Sequence, residues 1–260
     1  MLELLLATAG LVLSVVIVLW GISIAIRDVS IIDMAFSSLI AGVIAFIYWF
    51  SNASGQAATL TLVLVLVWAV RMTVYLVNRN WGHGEDVRYT KLRSWVPEGW
   101  PFYWFSLRQV FLLQGAVIWV LTLPQQIAFV TAPDAGMTWI AWLGVALWGV
   151  GFFFEAVGDW QLSRFRADSS KKGTVLNTGL WRYTRHPNYF GELAQWWGLL
   201  LIVVHVPWAA AGAIGVAIYS WLVVRVTGKA TLEKKMSREK PEYAEYVRRT
   251  SGLIPWFPKA

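Results

Sequence analysis

The sequence predicts an all-α integral membrane protein: a bundle of seven transmembrane helices, N-terminus outside and C-terminus cytoplasmic. Three observations predict it. Of 260 residues, 57% are hydrophobic and the mean hydropathy is +0.54, more apolar surface than a soluble domain of this size buries. The apolar residues fall in runs approaching the about 20 residues that a helix needs to cross a bilayer. The 22 Lys and Arg are confined to alternate connections, the adjoining helix ends and the tail. The positive-inside rule places those connections in the cytoplasm.

The first run, 4–26, follows Glu3 with no basic residue ahead of it and is longer than a signal-peptide core, so it reads as a retained helix. The next four runs are 31–50, 57–77, 105–123 and 139–157. The sixth, 193–206, is short and ends against Pro207, so its helix can start further back, near Pro187; the seventh is 208–226. Together they make one membrane domain, 1–260. Its amphipathic tail, 227–260, reads as a surface helix broken at Pro241 and then a second short helix. Net charge is +7, and topology accounts for that basicity without a nucleic-acid partner. No obligate protein partner is evident, and the bilayer itself is the evident surroundings. Cysteine is absent, which excludes disulfides, thiol catalysis and cysteine-ligated metals; a bacterial inner membrane is compatible with that. The 18 tryptophans fit an interfacial belt or the lining of a flat pocket.

Polar clusters border the basic ends of the runs. In the third run Arg71, Tyr75, Asn78 and Arg79 stand at i, i+4, i+7 and i+8, one helix face. Arg71 lies about two turns inside the run, where a charge faces a partner or a wet cavity, although an arginine near an end can also snorkel. The following connection, "GHGEDVRYTKLR", gathers Glu85, Asp86, Arg88, Tyr89 and Arg93. In the fifth run Glu155, Asp159, Leu162 and Arg166 share a face, either an ion-pair stripe or a ligand site. Asp33 opens the second run and is equally readable as a helix cap. "GLWRYTRHPNYFGE", 179–192, crowds Tyr183, Arg185, His186, Asn188, Tyr189 and Glu192 before the sixth run. Free amides at a helix start attract an anion, and arginines are natural phosphate partners. These clusters suit a large polyanionic cofactor. His83, His186 and His205 form no metal-ligand spacing. "GVGFFF" lacks the third glycine and the strand–helix setting of a Rossmann turn.

"RHPNYFGE", with "RMTVYLVNRNWGHGEDVRY" upstream, resembles the steroid 5-alpha-reductase family, and its bacterial homologues most closely. The resemblance runs from about Asp28 to Pro258 and is strongest after Arg71. It implies NADPH among seven helices and reduction of a carbon–carbon double bond conjugated to a ketone, as in a 3-oxo-4-ene steroid or another enone lipid. Carried over, Asn78 and Arg79 match a cofactor contact after the third helix. Asp159 and Arg166 match an Asp and Arg that hold the nucleotide, and Asn188 and Glu192 match its contacts at the sixth helix. The resemblance adds Arg71, Glu85, Asp86, Arg88, Tyr89, Arg93, Tyr183, Arg185, His186 and Tyr189 to the cofactor set. Asp33 falls where the family has a catalytic glutamate, and serves as an acid only if burial keeps it protonated. The family's substrate-binding tyrosine is Trp68 here, leaving Tyr75, or Tyr48, to replace it. Lys229 or Ala230 falls where a tail histidine is expected. No metal is implied. Two other readings stand. One is a membrane methyltransferase using S-adenosylmethionine, whose isoprenylcysteine and phospholipid types also carry Arg-His-Pro-x-Tyr-x-Gly. The other is a transporter or scaffold whose charges only anchor helices; inverted repeats and midplane polar residues would mark a transporter.

Overall fold

A computed structural model describes residues 1–82, 84–227 and 229–259, and the side chains of Thr227, Ala230, Thr231 and Lys235 also lie outside the described residues. His83 falls outside them too. Within them the regular structure is helical, apart from one isolated bridge between Thr184 and Ser251. The chain divides into two compact units, Met1–Met137 with Val203–Gly215, and Thr138–Ile202 with Val216–Ala260. Among the described residues six helices are long and apolar enough to cross a membrane, as in an integral membrane protein.

The first unit begins with three of them, α1 (Leu2–Ile26), α2 (Ile31–Phe50) and α3 (Gln56–Asn80). α2 lies between the other two in contact terms, packing on both. Its Ile32, Ile40, Ile44 and Ile47 are fully buried. Arg27 ends α1 in the left-handed region, and its N–H closes the last turn. Gly55 precedes α3 because a Cβ there would stand 2.5 Å from the Ala135 backbone. The short α4 (Val87–Arg93) is capped by the Asp86 carboxylate, which accepts from Arg88 N–H. A fourth long helix, Trp100–Leu121, comprises α5 (Trp100–Ser106), a π-turn at Leu107–Leu112 and α6 (Leu113–Leu121).

Between the 105–123 and 139–157 runs stands a further helix, α7 (Leu123–Thr131), that the apolar pattern does not mark. Pro124 sits in its first turn, where the missing N–H costs nothing. The buried Gln126 fixes it by accepting from Thr8 Oγ1 at 2.5 Å and donating to Thr122 Oγ1 at 2.8 Å.

The second unit is built on α8 (Trp139–Ala167) and α9 (Pro187–Val203). The helix that holds the 193–206 run thus starts at Pro187, six residues before that run. At 17 residues it is about 26 Å long. Glycines spaced by seven in α8 let the two helices meet backbone to backbone. A Cβ on Gly144 would stand 2.6 Å from the Gly198 carbonyl, and one on Gly151 2.5 Å from the Gly191 carbonyl. The chain continues through α10 (Ala213–Trp221), which enters this unit at Val216. The tail forms α11 (Lys229–Glu239) and α12 (Tyr243–Arg249).

Candidate functional site

In the first unit the "GEDVRY" stretch folds into a closed polar network rather than an open row of charges. Asp33, in the first turn of α2, is its hub. Its Oδ1 accepts the Tyr89 hydroxyl at 2.6 Å and Gln114 Nε2 at 3.3 Å; its Oδ2 accepts Arg88 Nη2 at 2.7 Å. Gln114 Nε2 also donates to the Tyr89 hydroxyl oxygen at 3.2 Å. Burial, followed by the negative charge of Asp33 and the hydrogen bond to it, pushes the Tyr89 hydroxyl well above its ordinary range, so the phenol keeps its proton.

Asp86 pairs with Arg88, Nε to Oδ1 at 3.0 Å, and with Arg79 at 3.5 Å. Burial works to raise the Asp86 carboxyl, but its hydrogen bonds from Arg88 and the charges of Arg88 and Arg79 outweigh this and hold it low. Glu85 accepts from Arg93 at 2.9 Å and from Val29 N–H at 2.9 Å, tying the first connection to the third. Arg93 in turn covers the Phe102 ring, 4.2 Å from its centroid. On α3, the Arg71 guanidinium stands over the Tyr75 ring at 5.4 Å, while Asn78 and Arg79 are exposed at the helix end. The fold therefore gathers Asp33, Arg79, Glu85, Asp86, Arg88, Tyr89 and Arg93. Tyr75 is partnered with Arg71. Gln114 was missed by sequence reasoning; its only signal was an amide inside an apolar run.

In the second unit α8 and α9 bring polar groups together across their glycine contacts. Asp159, 3% exposed, accepts Asn188 Nδ2 at 3.1 Å. Glu155, 1% exposed, accepts Gln195 Nε2 at 2.8 Å, and Glu192 accepts the Tyr219 hydroxyl. Arg166 lies exposed near the end of α8, seven residues beyond Asp159. The His186 ring is buried and stacks on Tyr189, centroids 5.3 Å apart. Its Nδ1, like Gln195 Oε1, is buried with no hydrogen-bond partner among the described residues.

Arg185 and His186 turn toward the tail. Glu233 Oε1 receives Arg185 Nε at 2.9 Å and His186 Nε2 at 3.0 Å, while Arg185 Nη1 donates to the carbonyls of Val247 and Thr250. Burial works to raise the Glu233 carboxyl, but those bonds and the positive charge of Arg185 outweigh it and hold it low. Burial lowers His186, favouring the neutral ring. Tyr183 packs edge-on to Phe257. Gln195, Tyr219 and Glu233 carried no sequence signal of their own, since each acquires its role only from a partner far along the chain. No group of three or more His, Asp or Glu able to hold a metal occurs among the described residues.

A family model described as "Protein of unknown function (DUF1295)" matches residues 19–250. The chain belongs to this family. The DUF1295 match includes every candidate residue from Asp33 to Glu192. A relative from Schizosaccharomyces pombe (strain 972), "Uncharacterized protein C594.04c", is 26% identical over 275 residues, 95% of this chain and 78% of its own length. No solved structure matches this DUF1295 protein.

Proposed function

We propose that the protein is an NADPH-dependent reductase acting on the carbon–carbon double bond of an enone lipid, with a 3-oxo-4-ene steroid as the substrate class. The observation that carries this reading is the pair formed by the buried Asp159 of α8 and the half-buried Asn188 in the first turn of α9. A carboxylate and an amide held together there offer the acceptor and donor that ribose and carboxamide groups use. The unsatisfied His186 Nδ1 and Gln195 Oε1 fit a polar ligand as well, since a buried polar atom left unpaired costs about 1–3 kcal/mol. Arg166, exposed near the end of α8 beyond Asp159, is a cation suited to its phosphates. When bound, the dinucleotide supplies the hydride; the chain supplies position and electrostatics.

Of the catalytic candidates, Asp33 is supported through Tyr89 more than through Tyr75. The Tyr89 phenol keeps its single proton, which it gives to Asp33; released from that carboxylate, the same proton is a donor suited to an enone oxygen whose charge grows during reduction. In this reading the chain has seven spans, with α9 as the sixth, the N-terminus outside and the C-terminus cytoplasmic, and the bacterial inner membrane is its setting.

Detergent-purified protein titrated with NADPH and, separately, with S-adenosylmethionine tests the proposal by tryptophan quenching. Saturable NADPH binding that weakens in Asn188→Ala and Arg166→Ala is the expected result. Binding of S-adenosylmethionine alone would assign the chain to the methyltransferases. Binding of neither would leave the clusters as helix anchors.

A further inference from the structure

Residues 253–259, "LIPWFPK", form a tied-down apolar prong outside the spans. Ile254 is 67% exposed, Trp256 71% and Phe257 76%. Loose ends commonly expose such side chains, but this end is fixed. Trp256 N–H donates to the Tyr183 carbonyl at 2.9 Å, Thr184 Oγ1 donates to the Leu253 carbonyl at 2.8 Å, and Lys259 N–H returns to the Arg249 carbonyl at 2.9 Å. Thr184 and Ser251 add a bridge, and Pro255 and Pro258 restrict the backbone between these ties.

The ties also set its level. The segment holding the prong is pinned to α8: Trp181 Nε1 donates to the Gly158 carbonyl at 3.1 Å, and Leu180 N–H to Gln161 Oε1 at 3.0 Å. Gly158 is the twentieth residue of α8, about 28 Å along an axis that needs about 30 Å to cross the hydrocarbon. At that same level the exposed Trp160 lies under the Arg164 guanidinium at 5.2 Å, a pairing suited to the headgroup layer. The prong is thus held where a span leaves the bilayer. From Glu245 to Lys259 the chain carries Arg248, Arg249 and Lys259 against Glu245 as its one acid. Exposed Trp, Phe and Ile beside net positive charge is the composition that enters an anionic interface.

We propose that the 253–259 prong is a membrane-surface anchor that inserts Ile254, Trp256 and Phe257 at the headgroup boundary of anionic lipid. By fixing the tail that Glu233 docks onto Arg185 and His186, the anchor links the order of that region to lipid composition.

Because the chain contains no cysteine, a single introduced thiol carries a unique spin label. Full-length protein with Phe257→Cys or Ile254→Cys is reconstituted into bilayers of phosphatidylcholine with graded phosphatidylglycerol. Accessibility to oxygen and to an aqueous nickel chelate is then compared with that of Lys172→Cys, an exposed loop site. The expected result is a label reached by oxygen and shielded from nickel, the reverse of residue 172. At a fixed phosphatidylglycerol fraction, the equilibrium constant for immersion of the label should fall about five-fold for each of Arg248→Gln and Arg249→Gln. Nickel access equal to that at residue 172 would overturn the anchor. Spin–spin broadening removed by dilution with unlabelled protein would replace the bilayer by a second copy. Equal immersion in pure phosphatidylcholine would remove the role of anionic headgroups.

Discussion

Tyr89 separates a structural hydroxyl from a catalytic one. Its phenol donates to Asp33 and accepts from Gln114, so Tyr89→Phe removes one charge-assisted hydrogen bond and should cost about 1.5–3 kcal/mol. Thermal unfolding measures that loss. If that single proton passes from Asp33 to a developing oxyanion during reduction, turnover of an enone steroid should fall about 100-fold or more with KM little changed. Gln114→Leu should lower turnover less, because the phenol keeps its bond to Asp33. A loss confined to KM would reduce Tyr89 to a substrate contact.

The tail clasp has its own pH dependence. His186 and Glu233 are both lowered in the folded state, from ordinary values of 6.5 and 4.5. The unfolded chain therefore binds protons more readily, and stability is lost on acidification. His186 contributes a loss beginning near pH 6.5, and Glu233 a second one below about 4.5, each completed as pH falls through the folded value. Proteolysis of the tail as a function of pH should show both steps. Glu233→Gln should abolish the lower one, and an unchanged profile in that variant would place the step elsewhere.

At the scale of elements, the glycines of α8 and α9 decide how closely two apolar helices approach. A Cβ on Gly191 would stand 2.4 Å from Glu155 N and from the Gly151 carbonyl, contacts that no rotamer relieves. Gly191→Ala should therefore destabilise the second unit by about 1–3 kcal/mol. Gly42→Ala is the opposite case, since nothing lies within 4 Å of that Cβ in α2. Restricting the unfolded chain there should be neutral or stabilising by about 0.4–1 kcal/mol. Equal effects in thermal unfolding would show that the glycines do not set the α8–α9 contact. Apolar period and length were enough to find the long helices, because in a bilayer the run is the helix. The same signal mislaid α7, where Pro124, Gln125 and Gln126 read as a connection. Those amides lie in a helix whose burial comes from its neighbours, among them Thr8, 118 residues away from Gln126. The start of α9 was legible only through Pro187, because its first turn is polar.

The whole chain combines a hydrophobic body with charge placed at alternate connections, and here the sequence carried more than single residues did. It marked both polar clusters, yet not their internal pairing: Arg185 reads as a phosphate ligand in sequence and holds the tail through Glu233 in the structure. Long-range partners such as Gln114 and Glu233 are invisible to spacing, whereas the charge pattern is a sum over the chain and survives such detail. That pattern predicts topology directly. Residues 51–55 and 124–138 contain no Lys or Arg, whereas 164–185 contains six. With cysteine absent, Ser54→Cys and Lys172→Cys each provide one reactive thiol, both at exposed or half-exposed positions. A membrane-impermeant maleimide should modify residue 54 in intact cells and residue 172 only in inverted vesicles, because moving the basic connections outward opposes the insertion bias. Labelling of both positions from one side would require an even number of spans between them. α3, the Trp100–Leu121 helix and α8, the three long apolar helices between those positions, would then not all cross, and a cytoplasm-loaded nucleotide would lose its topological basis.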